Sequence, residues 1–370
     1  MRSHLCLTAF TTTFFIIITC SGSFAQGELA PPAGAPAPTM KTLEQLEPRT
    51  PISSLPYTIK YSGSYYLTGN LASTTNGIVI HADNVTLDLM GFTLSGDGGA
   101  ESNGIHVEGS SGNERYNLVI KGGMVSGFHY GLNAVSMNNS SIEHLVVSGN
   151  SSTAVRIDGT SSGSCNGNTL AHCLISQNGG SGVIIDGDQG QCNGNTLDHC
   201  TINGNGANGC YLNGDEGQCN GNTITSCSIN GNAFRGIHLR GPEGECNGNV
   251  IVANTINGNG NRGINLYTNM LGGGCDGNTI RDNTIRGNVD IGISLVFSDG
   301  NRIEGNNISD TTGGLGIGIK TASSRENFIL KNTSTGHTTP YDLDSDDTFG
   351  PHINTSGSLI GTNPWANFSR

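Results

Sequence analysis

Tyr211, His238, Arg240 and Tyr267 fall at matched positions of three successive sequence repeats, and together they have the residue types that a β-elimination requires. On a uronic acid polymer that reaction needs a base for the proton beside the carboxylate. It also needs a cation on the carboxylate and an acid for the leaving oxygen. His238 suits the base and Arg240 the carboxylate clamp. Tyr211 or Tyr267 suits the acid, and either ring can stack on a sugar. His81, His106, Glu108, Arg156, Asp158 and Asp186 occupy the same columns in earlier repeats, and Asn265 in a later one; these are candidate substrate contacts. Glu108, Asp158 and Asp186 are the carboxylates a hydrolase would use instead. The loops that follow carry Asp188, Asp215, Glu216 and Glu243, hard oxygen donors of the kind that hold Ca²⁺. The same residues also suit an ordinary solvated face whose acidic loops keep the chain soluble.

These columns exist only if the segments carrying them are strands in register. Asn168, Asn195, Asn222 and Asn249 are 27 residues apart, and Asn278, Asn301 and Asn327 follow at steps of 29, 23 and 26. Each unit then repeats a second apolar site (Ile175, Ile202, Ile229, Ile256, Ile285, Ile308) and a third block such as Gly236-Ile237-His238-Leu239. Segments this short, β-branched and bounded by Gly and Asn, are strands and turns rather than helices. One unit cannot bury its apolar face, but stacked units can. The pattern predicts an all-β right-handed parallel β-helix of about ten to eleven coils with caps at both ends. A propeller blade would need about 40 or more residues. Within the third block the Ile and Leu face inward and the alternate residues outward. The repeated Asn read as a ladder that satisfies amides at a tight corner.

Residues 1–25 read as a secretory signal, with Arg2, an apolar run from Leu5 to Thr19, and Ser23-Phe24-Ala25 before the cut. Cys20 as a lipidation site is the lesser alternative, since Thr19 fits poorly before it. Residues 26–50 form an Ala/Pro-rich linker and approach, 51–76 an N-terminal cap, 77–344 the repeats and 345–370 a C-terminal cap, with Trp365 over the last rung. No other segment has the roughly 20 apolar residues of a spanning helix. A secreted, periplasmic or cell-surface protein without a transmembrane anchor is expected. The formal charge is −12, or −13 once Arg2 leaves, and charged residues are only 12%. That balance excludes nucleic acid as a partner, because phosphate binding needs clustered Lys and Arg. It leaves polysaccharide, with a divalent cation such as Ca²⁺ bridging to any acidic one.

Nine cysteines lie beyond the leader. Cys165, Cys192, Cys219, Cys246 and Cys275 form one column; Cys173, Cys200 and Cys227 form another, which becomes Asn254, Asn283 and Asn306 in later units; Cys210 aligns with core residues. A rung spacing of about 4.8 Å permits disulfides between coils. An odd count leaves at least one thiol over. A metal column is the alternative, against which stand the absence of Cys-x-x-Cys spacing and of an accompanying His column.

The segments EPRTPISSLP, SGSYYLTGNL, NVTLDLMGFTLSG and NPWANF together resemble a group of secreted bacterial right-handed parallel β-helix repeat proteins, and the repeats resemble the wider pectin-lyase-like superfamily. The resemblance implies fold and export and says little of activity. The superfamily includes pectate lyases, polygalacturonases, alginate lyases, epimerases, adhesins and non-catalytic proteins. The Asp-Asp, Gly-His-Gly and Arg-Ile-Lys set of polygalacturonases is missing, as is the Asp-Pro-His of mannuronan epimerases; Asp346-Asp347 stands without those companions. Three expectations therefore stand together: a polysaccharide lyase or related sugar-modifying enzyme, a non-catalytic glycan binder, and a structural or adhesive rod.

Overall fold

The computed structural model describes residues 48–159, 163–270, 272–310, 316–354 and 363–370. The expected signal, all but the last three residues of the expected linker, and residues 355–362 of the expected C-terminal cap lie outside them. The chain divides into two units, Met1–Glu47 and Pro48–Arg370; the second is described below.

Each turn of the chain contributes three short strands, for example Thr196–Asp198, Thr201–Asn203 and Cys210–Asn213. Each pairs parallel with its equivalent one turn on: Leu197 with Ile224, Ile202 with Ile229, Cys210 with Ile237. The first two strands of each turn build a 24-stranded sheet and the third a 12-stranded one. Among the described residues there is no helix. The solenoid has about nine turns, slightly fewer than the ten to eleven expected. The 12-stranded sheet runs from Tyr57–Ile59 to Thr339–Asp342.

Alternation explains the core. Leu197, Ile202, Cys210 and Leu212 of one turn are all fully buried, and so are their equivalents above and below. Each buried Leu or Ile contributes about 1.5–3 kcal/mol of hydrophobic free energy. A single turn holds too few of them to offset its ordering entropy, so the turns are stable only as a stack. At the N-terminal end Thr50–Ile52 and Gly63–Leu67 already pair parallel within the larger sheet, burying Ile52 and Leu67.

Asparagine closes the corners. Asn168 Nδ2 donates to Asn195 Oδ1 at 3.0 Å, Asn195 to Asn222 at 3.0 Å and Asn222 to Asn249 at 3.1 Å, and the series runs on to Asn327. It ends on Asp347, whose Oδ1 accepts from Asn327 Nδ2 at 2.9 Å. Asp347 is therefore the terminal rung of a ladder. The second cysteine column does merge into an Asn ladder, because Cys227 N–H donates to Asn254 Oδ1 at 2.8 Å. The nine cysteines among the described residues are buried free thiols, so the disulfides that the rung spacing permits are not formed there.

Trp365 does not cover the last rung. It is 50% exposed, with Lys331 Nζ 4.6 Å from its ring. Tyr341 and Phe349 pack on the core there instead, and the Tyr341 hydroxyl donates to the carbonyls of Asn332 and Phe368.

Candidate functional site

On the outer face of the 12-stranded sheet, strand register sets two adjacent columns. One runs Arg156, Ile184, Tyr211, His238, Asn265; the other Asp158, Asp186, Asn213, Arg240, Tyr267. The side chains between them, such as Ile237 and Leu239, are buried in the core. Period-2 alternation thus places every polar member of the columns on one surface.

Two groups that the sequence separates form one chain of contacts. Arg156 bonds Asp158 Oδ2 at 2.9 Å and Asp186 Oδ2 at 2.7 Å. Asp186 Oδ1 accepts from Asn213 Nδ2 at 2.9 Å. Asn213 Oδ1 in turn accepts from the Tyr211 hydroxyl at 3.0 Å and from Arg240 at 3.4 Å. Arg240 closes the chain on Asp215. Burial works against the charges of Arg156 and Arg240, but their acidic partners outweigh it and raise both pKa values. Burial pushes the Tyr211 hydroxyl up to about 12, against the pull of Arg240. Tyr267 stands half-buried beside Arg240, one rung on.

His238 and Asn265 lie on this face but are not solvent-facing as expected: they are 6% and 1% exposed. The Tyr211 and His238 rings stack at 5.2 Å between centroids and 9° between planes. Asn265 Nδ2 lies 2.9 Å from His238 Nδ1, and Arg262 donates to Asn265 Oδ1. Asn265 therefore positions His238 and Arg262 instead of offering its amide to a substrate. Burial, then the nearby Arg235, Arg240 and Arg262 cations, push His238 down to about 3, so its ring is neutral near pH 7.

Arg235 and Arg262 escaped the sequence reading. Both precede the Gly that opens a third-block strand, 27 residues apart, which was the available signal. The Arg235 guanidinium lies 4.1 Å over the Phe234 ring. Its buried Nε has no hydrogen-bond partner, and it pairs with no carboxylate among the described residues. Burial and Arg262 lower its pKa. Arg262 Nε is likewise unbonded, with Asp290 Oδ2 3.5 Å away.

The remaining candidates are not drawn in. His81 Nε2 and Glu108 Oε2 form an exposed pair at 2.6 Å, two rungs before Arg156 and its partners. His106 is half-buried, with Nδ1 3.1 Å from Asn133 O, and burial lowers its pKa. Glu216 and Glu243 flank an open groove of about 410 Å³. Asp188 has its pKa raised by burial and by Asp186, Asp215 and Glu216. The four loop carboxylates expected to hold Ca²⁺ are not gathered at one point: no three of them place oxygens within 4.8 Å of one another. Asp215 is taken by Arg240, and Glu216 accepts from Gln189 Nε2 at 3.1 Å.

Two family models match. Residues 70–244 match the right-handed beta helix region, and residues 190–369 match the periplasmic copper-binding protein (NosD) model. Among solved structures, the A-module of the mannuronan C-5 epimerase AlgE4 of Azotobacter vinelandii is 16% identical, with a TM-score of 0.64 over 81% of this chain and 90% of that one. The DFA-IIIase of Arthrobacter chlorophenolicus A6, solved without its lid, is 11% identical, with a TM-score of 0.55 over 83% and 88%. The Dettilon tailspike protein is 15% identical with a TM-score of 0.46, and the chain spans 61% of its length. No curated protein matches. Among the described residues no helix is long and apolar enough to cross a membrane.

Proposed function

We propose that this chain, a right-handed parallel β-helix protein of the pectin-lyase-like type, is exported and binds an acidic polysaccharide along the outer face of its 12-stranded sheet. The observation that carries the proposal is Arg235. A half-buried guanidinium with an orphaned buried Nε and no carboxylate costs free energy unless an anion from outside completes it. Guanidinium and carboxylate match bidentately, which makes a uronate the fitting sugar. Beyond burial, Arg262 lies close enough to lower the pKa of Arg235, while Arg240 is taken by Asp215. The mannuronan C-5 epimerase among the fold neighbours makes mannuronate the first polymer to try. Export rests on the leader at residues 1–25, and the matched family's description is periplasmic.

A second reading, β-elimination, is favoured by the stacked Tyr211–His238 pair. Neutral His238 would take the proton beside the carboxylate. That electron pair would form the double bond as the neighbouring C–O bond breaks, and Tyr211 would give its proton to the leaving oxygen. Tyr211 holds that proton to about pH 12. Burial is the larger cause of the lowered His238 pKa and would remain with substrate bound; a carboxylate on Arg235 would offset only the smaller part due to that cation.

The test uses residues 26–370 with oligomannuronate, oligogalacturonate and a neutral glycan, with calcium and with chelator. The acidic oligomers should bind and the neutral one should not, and Arg235→Ala should weaken binding at least tenfold. Equal binding of the neutral glycan, or an unchanged Arg235→Ala, overturns the proposal. Growth of unsaturated-uronate absorbance, lost in Tyr211→Phe, would establish elimination; binding without it leaves a glycan binder.

A further inference from the structure

A second cluster lies away from this face, at the corner between the first two strands of each turn. His144, His172 and His199 occupy that corner in three successive turns, each in the left-handed conformation with φ of 53°, 54° and 50°. Their rings form a column: His144 and His172 lie 5.2 Å apart at 25°, His172 and His199 5.2 Å apart at 31°. His199 Nδ1 is 2.6 Å from Asp198 Oδ1. Glu143 precedes His144 in the register column that leads to Asp198. One donor atom from each of His172, Asp198 and His199 lies within 4.8 Å of the other two, the only such group of three among the described residues.

We infer that His172, Asp198 and His199, with His144 beside them, form a binding site for a divalent transition ion that favours imidazole. The corner itself does not ask for histidine. Ser226 and Ala253 fill the same position in the next two turns with φ of 54° and 56°. Stacked imidazoles gain little from one another in water, and any two that are protonated repel. A bound cation reverses this, because it takes neutral imidazole nitrogen and a carboxylate oxygen together. A tetrahedral ion with bonds of about 2.0–2.1 Å needs donors about 3.3 Å apart. The side chains are exposed or half-buried, so rotation about their own bonds can supply the difference while the sheet holds their backbones one rung apart. Two imidazoles and a carboxylate suit Zn²⁺, Cu²⁺ or Ni²⁺ over Ca²⁺ or Mg²⁺. The copper in the matched family's description fits this donor set, yet His144 and His172 precede the matched residues 190–369, so the site stands on its own geometry.

The experiment titrates the full chain with Zn²⁺ by calorimetry and with Cu²⁺ by electron paramagnetic resonance. One ion per chain is expected, with nitrogen hyperfine structure for Cu²⁺. His172→Asn and His199→Asn should each weaken Zn²⁺ at least tenfold and Asp198→Asn severalfold. Asn is at ease in the left-handed conformation, so the corner should survive, and a thermal melt checks it. His81→Asn, which removes another exposed His–carboxylate pair, should change affinity less than twofold. Unchanged affinity in both His172→Asn and His199→Asn overturns the inference, as does Ca²⁺ binding as tightly as Zn²⁺. Should a histidine variant fail to fold, Asp198→Asn decides: a Zn²⁺ affinity equal to that of the wild type overturns the inference.

Discussion

At the scale of single residues, His238 separates what spacing can and cannot tell. Its place beside Tyr211 and Arg240 follows from the 27-residue period. Its burial does not, because that depends on Arg235 of its own turn and on Arg262 and the Asn265 amide of the next. The burial has a thermodynamic consequence. A histidine near 6.5 in the unfolded chain and near 3 in the fold binds its proton only on unfolding between those values. The unfolded state then holds more protons, so this residue's contribution lowers stability progressively as pH falls from about 6.5 through about 3. It has no such effect above about pH 7. Replacing it with Gln should remove that slope. Urea unfolding midpoints of the wild type and His238→Gln, compared at pH 7.5 and 4.5, should show the wild type losing more on acidification. Parallel losses in the two proteins would mean that His238 protonates as readily in the fold as outside it.

At the scale of the repeating element, the Asn ladders do what their spacing announced, and the atoms give the reason. Asn222 is fully buried. Its Oδ1 accepts from the Asn195 N–H at 2.8 Å and Asn195 Nδ2 at 3.0 Å, while its Nδ2 donates to Cys192 O at 3.0 Å and Asn249 Oδ1 at 3.1 Å. Asn222→Ala strands several of these at once, and each buried group left unsatisfied costs about 1–3 kcal/mol. A loss of about 3 kcal/mol or more in urea unfolding is expected, against less than about 1 kcal/mol for the surface change Asn261→Ala. The cysteine column gives the converse case. Cys200 N–H donates to Cys227 Sγ at 3.4 Å, and Cys227 N–H already donates to Asn254 Oδ1. Cys227→Asn extends the ladder by one rung, so its unfolding midpoint should equal or exceed that of the wild type. Period and β-branching made this architecture legible, because a ladder needs the same residue at the same place in every turn. The metal-type corner was missed: no His column was expected beside the cysteines, yet His172 and His199 directly precede Cys173 and Cys200. His144, His172 and His199 are spaced 28 and 27, but they occur in only three turns and outside the apolar segments that define the repeat.

At the scale of the whole molecule, the thiols report on how the solenoid is held. Cysteines one rung apart invite the expectation of inter-coil disulfides, yet the nine among the described residues are free and buried along the core from Cys165 to Cys275. The reason lies in their partners. Cys192 Sγ–H donates to Asp186 O at 3.0 Å and Cys165 Sγ–H to Asp158 O at 3.2 Å, so the thiols satisfy carbonyls at the turn into the acidic loops. Burial also raises the pKa of Cys192, Cys210, Cys246 and Cys275, which keeps those thiols protonated and unreactive. The stack is thus held by parallel pairing, Asn ladders and apolar burial along its length, with no disulfide between turns among the described residues. A thiol reagent added to native residues 26–370 should react with almost none of the cysteines, and in denaturant without reductant it should count nine. A count of one in denaturant would mean four disulfides and would overturn this account of the core. A count of nine, with the reagent reacting in step with loss of sheet signal, would show that the thiols are protected by the fold itself and become reactive only where the turns come apart.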